Sequence, residues 1–239
     1  MVMTDLHMHV VPHVDDGSKD MEMSLEMLKM AYAQGVRKVL CTSHSSWRPE
    51  ATVRYSNNFE KLKAEAETVL PEMQLFTGCE VLFAKRTLQD VLRKLDDGEF
   101  LTLNGTNAVL TEFQSYASAD EVEQVAKKLL SRKYVPVVAH AERCDAFEDE
   151  GFVKRLVEAG CLLQVNLYSL VKEPDEQLKV RAHRMVDAHQ VSFVGSDAHG
   201  SERRAPEVKD GMAYLYENTD QAYADAVCFG NAEKLLNLC

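Results

Sequence analysis

Short apolar runs in this chain alternate with amphipathic stretches of helical period, and a histidine or a carboxylate stands at the end of nearly every apolar run. That alternation restricts the chain to βα units arranged around a parallel sheet. The runs read as strands are Thr4–Val11, Val36–Thr42, Gln74–Phe83, Ala108–Phe113, Val135–His140, Cys161–Leu167 and Val191–Ser196. Between them, helical spacing is found over Ser24–Gln34, Asn58–Leu70, Leu88–Leu95, Ala119–Arg132, Phe152–Ala159 and Gln177–Ala188, with further helical material toward the C-terminus. Gly35 and Gly160 follow two of these helices, and Pro71 closes a third. About seven strands fall one short of a complete (β/α) barrel, so the expectation is a distorted TIM-like (β/α)7 barrel, with an open doubly wound sheet as the structural alternative. At 239 residues, with no linker or low-complexity tract, the chain reads as one domain over 1–239.

In a parallel barrel the C-terminal ends of the strands share one rim, where such folds place their chemistry. His7 and His9 close the first run, and alternate strand residues point to one face. His44 follows the second run, Glu80 lies in the third, Glu112 in the fourth, and His140 ends the fifth; Asp197 and His199 follow the last. Each of these alone has an ordinary explanation, as a solvated strand end or a hydrogen-bonded core group. Together they form a set of imidazoles and carboxylates suited to Mn, Fe or Zn. Asp15-Asp16-Gly17 follows the first run and is by itself a common turn sequence. Its nearness to His7 and His9 makes ligation plausible, whereas His13 reads as part of the loop.

Charge and cysteine usage exclude several classes. A formal charge of −11 opposes binding along a nucleic-acid backbone. The six cysteines are far apart and lack C-x-x-C spacing, so they read as reduced thiols. No arginine stands at the spacing that a cysteine-based phosphate loop needs. The N-terminal residues lack the pattern of a secretion signal, and no apolar stretch approaches the roughly 18 residues of a membrane span. A cytoplasmic protein without membrane insertion is expected.

Asp5-Leu-His-Met-His9, Val14-Asp-Asp-Gly17, Thr42-Ser-His44, Gly78-Cys-Glu80, Thr111-Glu-Phe113, Ala139-His-Ala-Glu-Arg143 and Ser196-Asp-Ala-His199 occur in that order over most of the chain. This ordered set resembles the polymerase and histidinol phosphatase (PHP) superfamily, and more closely its bacterial protein-tyrosine phosphatases of capsule and exopolysaccharide regulation. The resemblance implies a barrel of the PHP type holding three divalent metals, usually manganese and sometimes zinc or iron. It further implies that His7, His9, Glu80 and Asp197 hold one metal. A second is shared by Glu80 with Glu112 and His140, and a third lies between Asp16, His44 and His199. Arg143 and Arg204 match phosphate-contacting arginines, a role that suits the fork of a guanidinium. Two positions depart from the pattern: Ala141 stands where the family often has proline, and His13 where it often has glycine.

The implied reaction is in-line attack on phosphorus by metal-activated water, with no covalent phosphoenzyme, and with His199 or His13 as candidate proton donors. The implied partner is a tyrosine-phosphorylated protein, the tail of a bacterial tyrosine kinase. Rival readings are a histidinol-phosphate or other small phosphomonoester phosphatase and, from another class, a non-catalytic metal-binding regulatory module. A nuclease fits poorly with the acidic charge, and an amidohydrolase with the ordered motifs. Selectivity would come from the rim, where Ser45–Tyr55, with Trp47, Arg48 and Tyr55, offers an aromatic and cationic lip.

Overall fold

The computed structural model describes residues 2–46, 48 and 50–237. All strand pairs among them are parallel, as the βα alternation requires. The strands are β1 (Met3–Met8), β2 (Val36–Cys41), β3 (Gln74–Thr77), β4 (Glu80–Phe83), β5 (Ala108–Phe113), β6 (Val135–Val138), β7 (Leu162–Asn166) and β8 (Phe193–Gly195). They form a three-stranded sheet in the order β1-β2-β3 and a five-stranded sheet in the order β4-β5-β6-β7-β8. Strand count exceeds the sequence expectation by one because the run Gln74–Phe83 is broken at Gly78 and Cys79 into β3 and β4. Gly78 makes the break tight: a Cβ there would lie 3.1 Å from Leu103 and 3.2 Å from Thr42. After the break Glu80 bonds to the end of β2, donating from its amide to Ser43 and accepting from the amide of Ser45. At the other sheet edges, the amide of Asp197 donates to His7 and that of His9 to Ala198, which links the end of β8 to β1.

The helices are α1 (Met21–Ala33), α2 (Ala51–Val69), α3 (Leu88–Asp96), α4 (Ala119–Ser131), α5 (Glu150–Glu158), α6 (Leu167–Val171), α7 (Glu176–Asp187), α8 (Lys209–Asn218), α9 (Gln221–Asp225) and α10 (Asn231–Leu235). The starts of α1, α5 and α7 move outward from their apolar periodicity because a side chain caps the first turn, while α4 begins at the expected Ala119. Asp20, Ser118, Asp149 and Asp175 accept from backbone amides at the starts of α1, α4, α5 and α7. Helix α2 begins seven residues before the expected Asn58, and its first turns absorb Tyr55 into the core. The buried cysteines Cys41, Cys79, Cys144, Cys161 and Cys228 are free thiols that serve as packing groups; Cys239 lies outside the described residues. Among the described residues, no helix is long and apolar enough to cross a membrane.

Candidate metal centre

His7 is the penultimate residue of β1 and His9 follows the strand, both fully buried, with their Nε2 atoms 3.1 Å apart. The opposite nitrogen of each ring faces an acceptor. His7 Nδ1 lies 3.1 Å from Gln164 Oε1, and His9 Nδ1 lies 2.8 Å from Asp15 Oδ2. With both ring protons committed to Nδ1, the neutral rings turn two lone pairs toward each other, an arrangement that only a cation or an added proton stabilises. Burial opposes that proton, yet the Asp15 and Glu80 carboxylates outweigh burial and raise His9 to about 10. A cation is what this pair of rings is arranged to receive.

Glu80 sits at the centre of the same cluster. Its Oε2 is 3.3 Å from both Nε2 atoms of His7 and His9 and 3.0 Å from His44 Nδ1, while Oε1 is 2.8 Å from His140 Nε2. Although burial favours the neutral acid, the surrounding imidazoles hold Glu80 well below the usual carboxylate range. Asp197 Oδ1 lies 3.6 Å from both Nε2 atoms, and His7, His140 and Arg143 keep this carboxyl low against the effect of burial. Its other oxygen accepts from Arg143 at 2.6 Å, Arg204 at 2.9 Å and Asn166 at 3.1 Å. Glu80 Oε2 and His199 Nε2 are buried without a hydrogen-bond partner among the described residues, as open metal ligands would be.

All nine residues expected as ligands come together. Potential ligand atoms lie within 4.8 Å of one another in four overlapping groups: His9, Asp16, His44, His199; His7, Glu80, His140; His7, His9, Asp197; and His44, Glu80, Glu112. Glu80 belongs to two of these groups, one with His44 and Glu112 and one with His7 and His140, so it stands between Glu112 and His140. Burial and the neighbouring Glu80 charge raise Glu112. Asp16 is the outlying member, with a side chain 66% exposed. His199 donates from Nδ1 to the Asp197 carbonyl, and burial together with the His9 charge brings its pKa down to about 4. With its Nδ1 proton engaged there, Nε2 is the ring atom left to face the cluster.

Left-handed backbone occurs at three residues of this region. His140 (φ 30°), Asp197 (φ 52°) and Arg204 (φ 51°) occupy the left-handed region that costs a branched or bulky residue roughly 1–2 kcal/mol. His13 also lies there, at φ 60°, but its side chain is exposed and belongs to none of the four groups. It is part of the loop. His13→Gly is therefore expected to raise stability by about 0.5–1 kcal/mol by removing left-handed strain. A higher thermal midpoint with unchanged metal content would bear this out, and a lower midpoint would refute it.

The rim is organised differently from the sequence expectation. Tyr55 is buried, donating to the Cys41 carbonyl at 2.5 Å and accepting from Gly78 N at 3.1 Å, so it cannot line a lip. Arg48 is exposed, and Trp47 lies outside the described residues. On the arginine side, Tyr168 borders a cavity of about 300 Å³ that Arg143, Asn166, Asp197, Glu202 and Arg204 also line. Four residues outside the expected ligand set hold the histidines and Asp197 in place; of these Asp15 belongs to the Asp15-Asp16-Gly17 turn already noted for its nearness to His7 and His9. Asp5, buried, accepts from the amides of His7 and Ser196. Asp15 accepts from His9 and from the amide of His44, and these bonds carry it down to about 2 despite burial. Gln164 and Asn166 approach from β7. For the two amides the available signal was a polar residue at alternate positions of an apolar strand.

The model of the family described as capsular polysaccharide synthesis, CpsB/CapC, matches residues 3–237. Tyrosine-protein phosphatase CpsB of Streptococcus agalactiae serotype V is 31% identical over 244 aligned residues, with 98% of each chain covered. Tyrosine-protein phosphatase YwqE of Bacillus subtilis is 30% identical over 240 residues, covering 98% of this chain and 91% of YwqE. A solved structure from work on YwqE of Bacillus subtilis and CpsB of Streptococcus pneumoniae, described as unique metal-dependent tyrosine phosphatases, aligns with a TM-score of 0.88. That alignment is 28% identical and covers 98% of this chain and 94% of the other. The phosphotriesterase homology protein of Escherichia coli, 13% identical with a TM-score of 0.64, shares the fold. With nearly its whole length matched in sequence and in backbone, the chain belongs to the CpsB/CapC family of capsular polysaccharide synthesis.

Proposed function

We propose that this chain is a metal-dependent protein-tyrosine phosphatase acting through a cluster of divalent ions, manganese first among them. The opposed Nε2 atoms of His7 and His9, 3.1 Å apart beside the Glu80 and Asp197 carboxylates, carry the reading. His7, His9, Glu80 and Asp197 would hold one ion, Glu80, Glu112 and His140 a second, and Asp16, His44 and His199 a third. When bound, the ions supply Lewis acidity that makes water a usable nucleophile near neutral pH and offsets phosphoryl charge. Arg143 and Arg204 converge on Asp197 Oδ2 and line the adjoining cavity, which supports their reading as the groups that would take phosphate oxygens. Tyr168, at the edge of that cavity, is the aromatic side chain available to an aryl phosphate there. A phenolate leaves without much help, since its conjugate acid has a pKa of about 10, so the committed proton of His199 is no obstacle.

The same reading treats the chain as one domain and its strands as a distorted barrel of the PHP type. β3 and β4 count as one interrupted position of seven. Support comes from the parallel bridges His44 to Glu80, which ties the chain after β2 to β4, and Met8 to Ala198, which ties β1 to the chain after β8. The relatives are named tyrosine-protein phosphatases, which supports a tyrosine-phosphorylated protein as substrate; the tail of a bacterial tyrosine kinase, on the cytoplasmic side, is the one we infer.

The test is phosphate release from a phosphotyrosine peptide and from histidinol phosphate, using metal-stripped protein resupplied with manganese, beside a His140→Ala variant. Metal-restored turnover that favours the peptide and disappears in the variant is expected. Preference for histidinol phosphate would move the assignment to a small phosphomonoester, and inactivity toward both would end it.

A further inference from the structure

Strand β7 contributes none of the nine candidate ligands, yet its alternate residues Gln164 and Asn166 are fully buried against three of them. Gln164 Oε1 accepts from the backbone amide of His140 at 2.8 Å and faces His7 Nδ1 at 3.1 Å. Gln164 Nε2 donates to Asn166 Oδ1 at 2.9 Å, and Asn166 Nδ2 donates to Asp197 Oδ2 at 3.1 Å.

The direction of this chain is fixed at both ends. A backbone N–H can only donate, so the Gln164 atom facing His140 is the oxygen. An ionised carboxylate can only accept, so the Asn166 atom facing Asp197 is the nitrogen. Flipping either amide would oppose two acceptors or two donors in a buried place, at a cost that such sites do not tolerate. With the polarity set, His7 must present a proton on Nδ1, which in the neutral ring leaves the lone pair on Nε2. The same oxygen restrains His140 at its strained φ of 30°. Access depends on Gly195 in β8, where a Cβ would lie 2.8 Å from His7 Cβ and 3.1 Å from Gln164 Nε2.

We propose that Gln164 and Asn166 act as a two-amide relay that sets the proton position on His7 and the orientation of Asp197. They are positioning residues for the metal centre and belong to none of the four ligand groups. The inference rests on the reading of His7 and Asp197 as metal ligands. Partners of this kind, which bond to the far side of a ligating histidine, are typically worth 10–100-fold in metal affinity.

Gln164→Met keeps the side-chain shape and removes both polar atoms. In zinc-loaded protein, proton NMR of ring N–H groups should show His7 Nδ1–H and His9 Nδ1–H as separate slowly exchanging signals. The variant is expected to lose the His7 signal, to keep that of His9, which Asp15 holds, and to retain one ion about 10–100-fold more weakly in chelator competition. Asn166→Leu, which leaves the Gln164 contact with His7 intact, should keep both signals and weaken retention through Asp197. It serves as the deciding variant if Gln164→Met does not fold. Metal affinity equal to the parent's in a folded variant, with both ring signals present in Gln164→Met, would overturn the relay alone. A parent protein that binds no divalent ion would overturn the metal reading and the relay together.

Discussion

Glu80→Gln is expected to lower turnover of a phosphotyrosine peptide by about 10³-fold or more and to leave the protein short of more than one metal ion. The carboxylate is 1% exposed and within 3.3 Å of ring nitrogens from His7, His9, His44 and His140. Glutamine keeps the shape but removes the charge and turns one oxygen into an N–H donor. Several ligand groups share this one side chain, so its loss is felt by more than one ion. Metal ions in hydrolytic sites contribute several kcal/mol, and about 4 kcal/mol corresponds to 10³ in rate. Elemental analysis after dialysis, beside steady-state phosphate release, measures both effects. Parental metal content with turnover within tenfold of the parent would show that Glu80 is not the shared ligand.

Gly17→Ala is expected to destabilise the fold by about 1–3 kcal/mol and to lower turnover by about 10²-fold, although residue 17 bears no functional group. A Cβ there would lie 2.3 Å from the His9 carbonyl oxygen and 2.5 Å from His9 Cβ, distances that backbone cannot absorb without moving. The displaced strand end would carry His9 out of line with Asp15 and Glu80. Gly230→Ala is the control, since its new Cβ would meet only Asp225 O at 3.6 Å, an ordinary contact. Thermal denaturation and metal retention of the two variants should separate sharply. Equal behaviour would mean that the loop after β1 yields without disturbing the site.

The βα alternation and the ligand types were legible in the sequence because each is a local property. β5 spans Ala108–Phe113 in both readings because its apolar run is bounded on both sides by polar residues. The break between β3 and β4 was not legible, since it depends on how closely Gly78 approaches Thr42 and Leu103, which are distant in the chain. Tyr55 was misplaced on the rim for a related reason. The helical period is weak over the first turns of α2, and only tertiary packing draws that ring under Cys41. Gln164 and Asn166 escaped attention because amides neither titrate nor bind metals readily, so their importance lies entirely in what their neighbours require. Asp15 was hidden beside Asp16: the two adjacent carboxylates face different ways, one inward to His9 and the other out toward solvent.

Burial pushes the thiols of Cys79 and Cys228 up to about 12 and that of Cys161 to about 11, and it raises Cys41 and Cys144 as well. At neutral pH the first three are thiolates on the order of one part in 10⁴ or less, and peroxide reacts with thiolates. Phosphatases that use a cysteine nucleophile must expose an ionised sulfur, and oxidant bursts silence them. None of these five thiols is among the groups gathered at the strand ends. Tyrosine dephosphorylation of the kind proposed for this chain is thereby uncoupled from the peroxide sensitivity of a cysteine nucleophile.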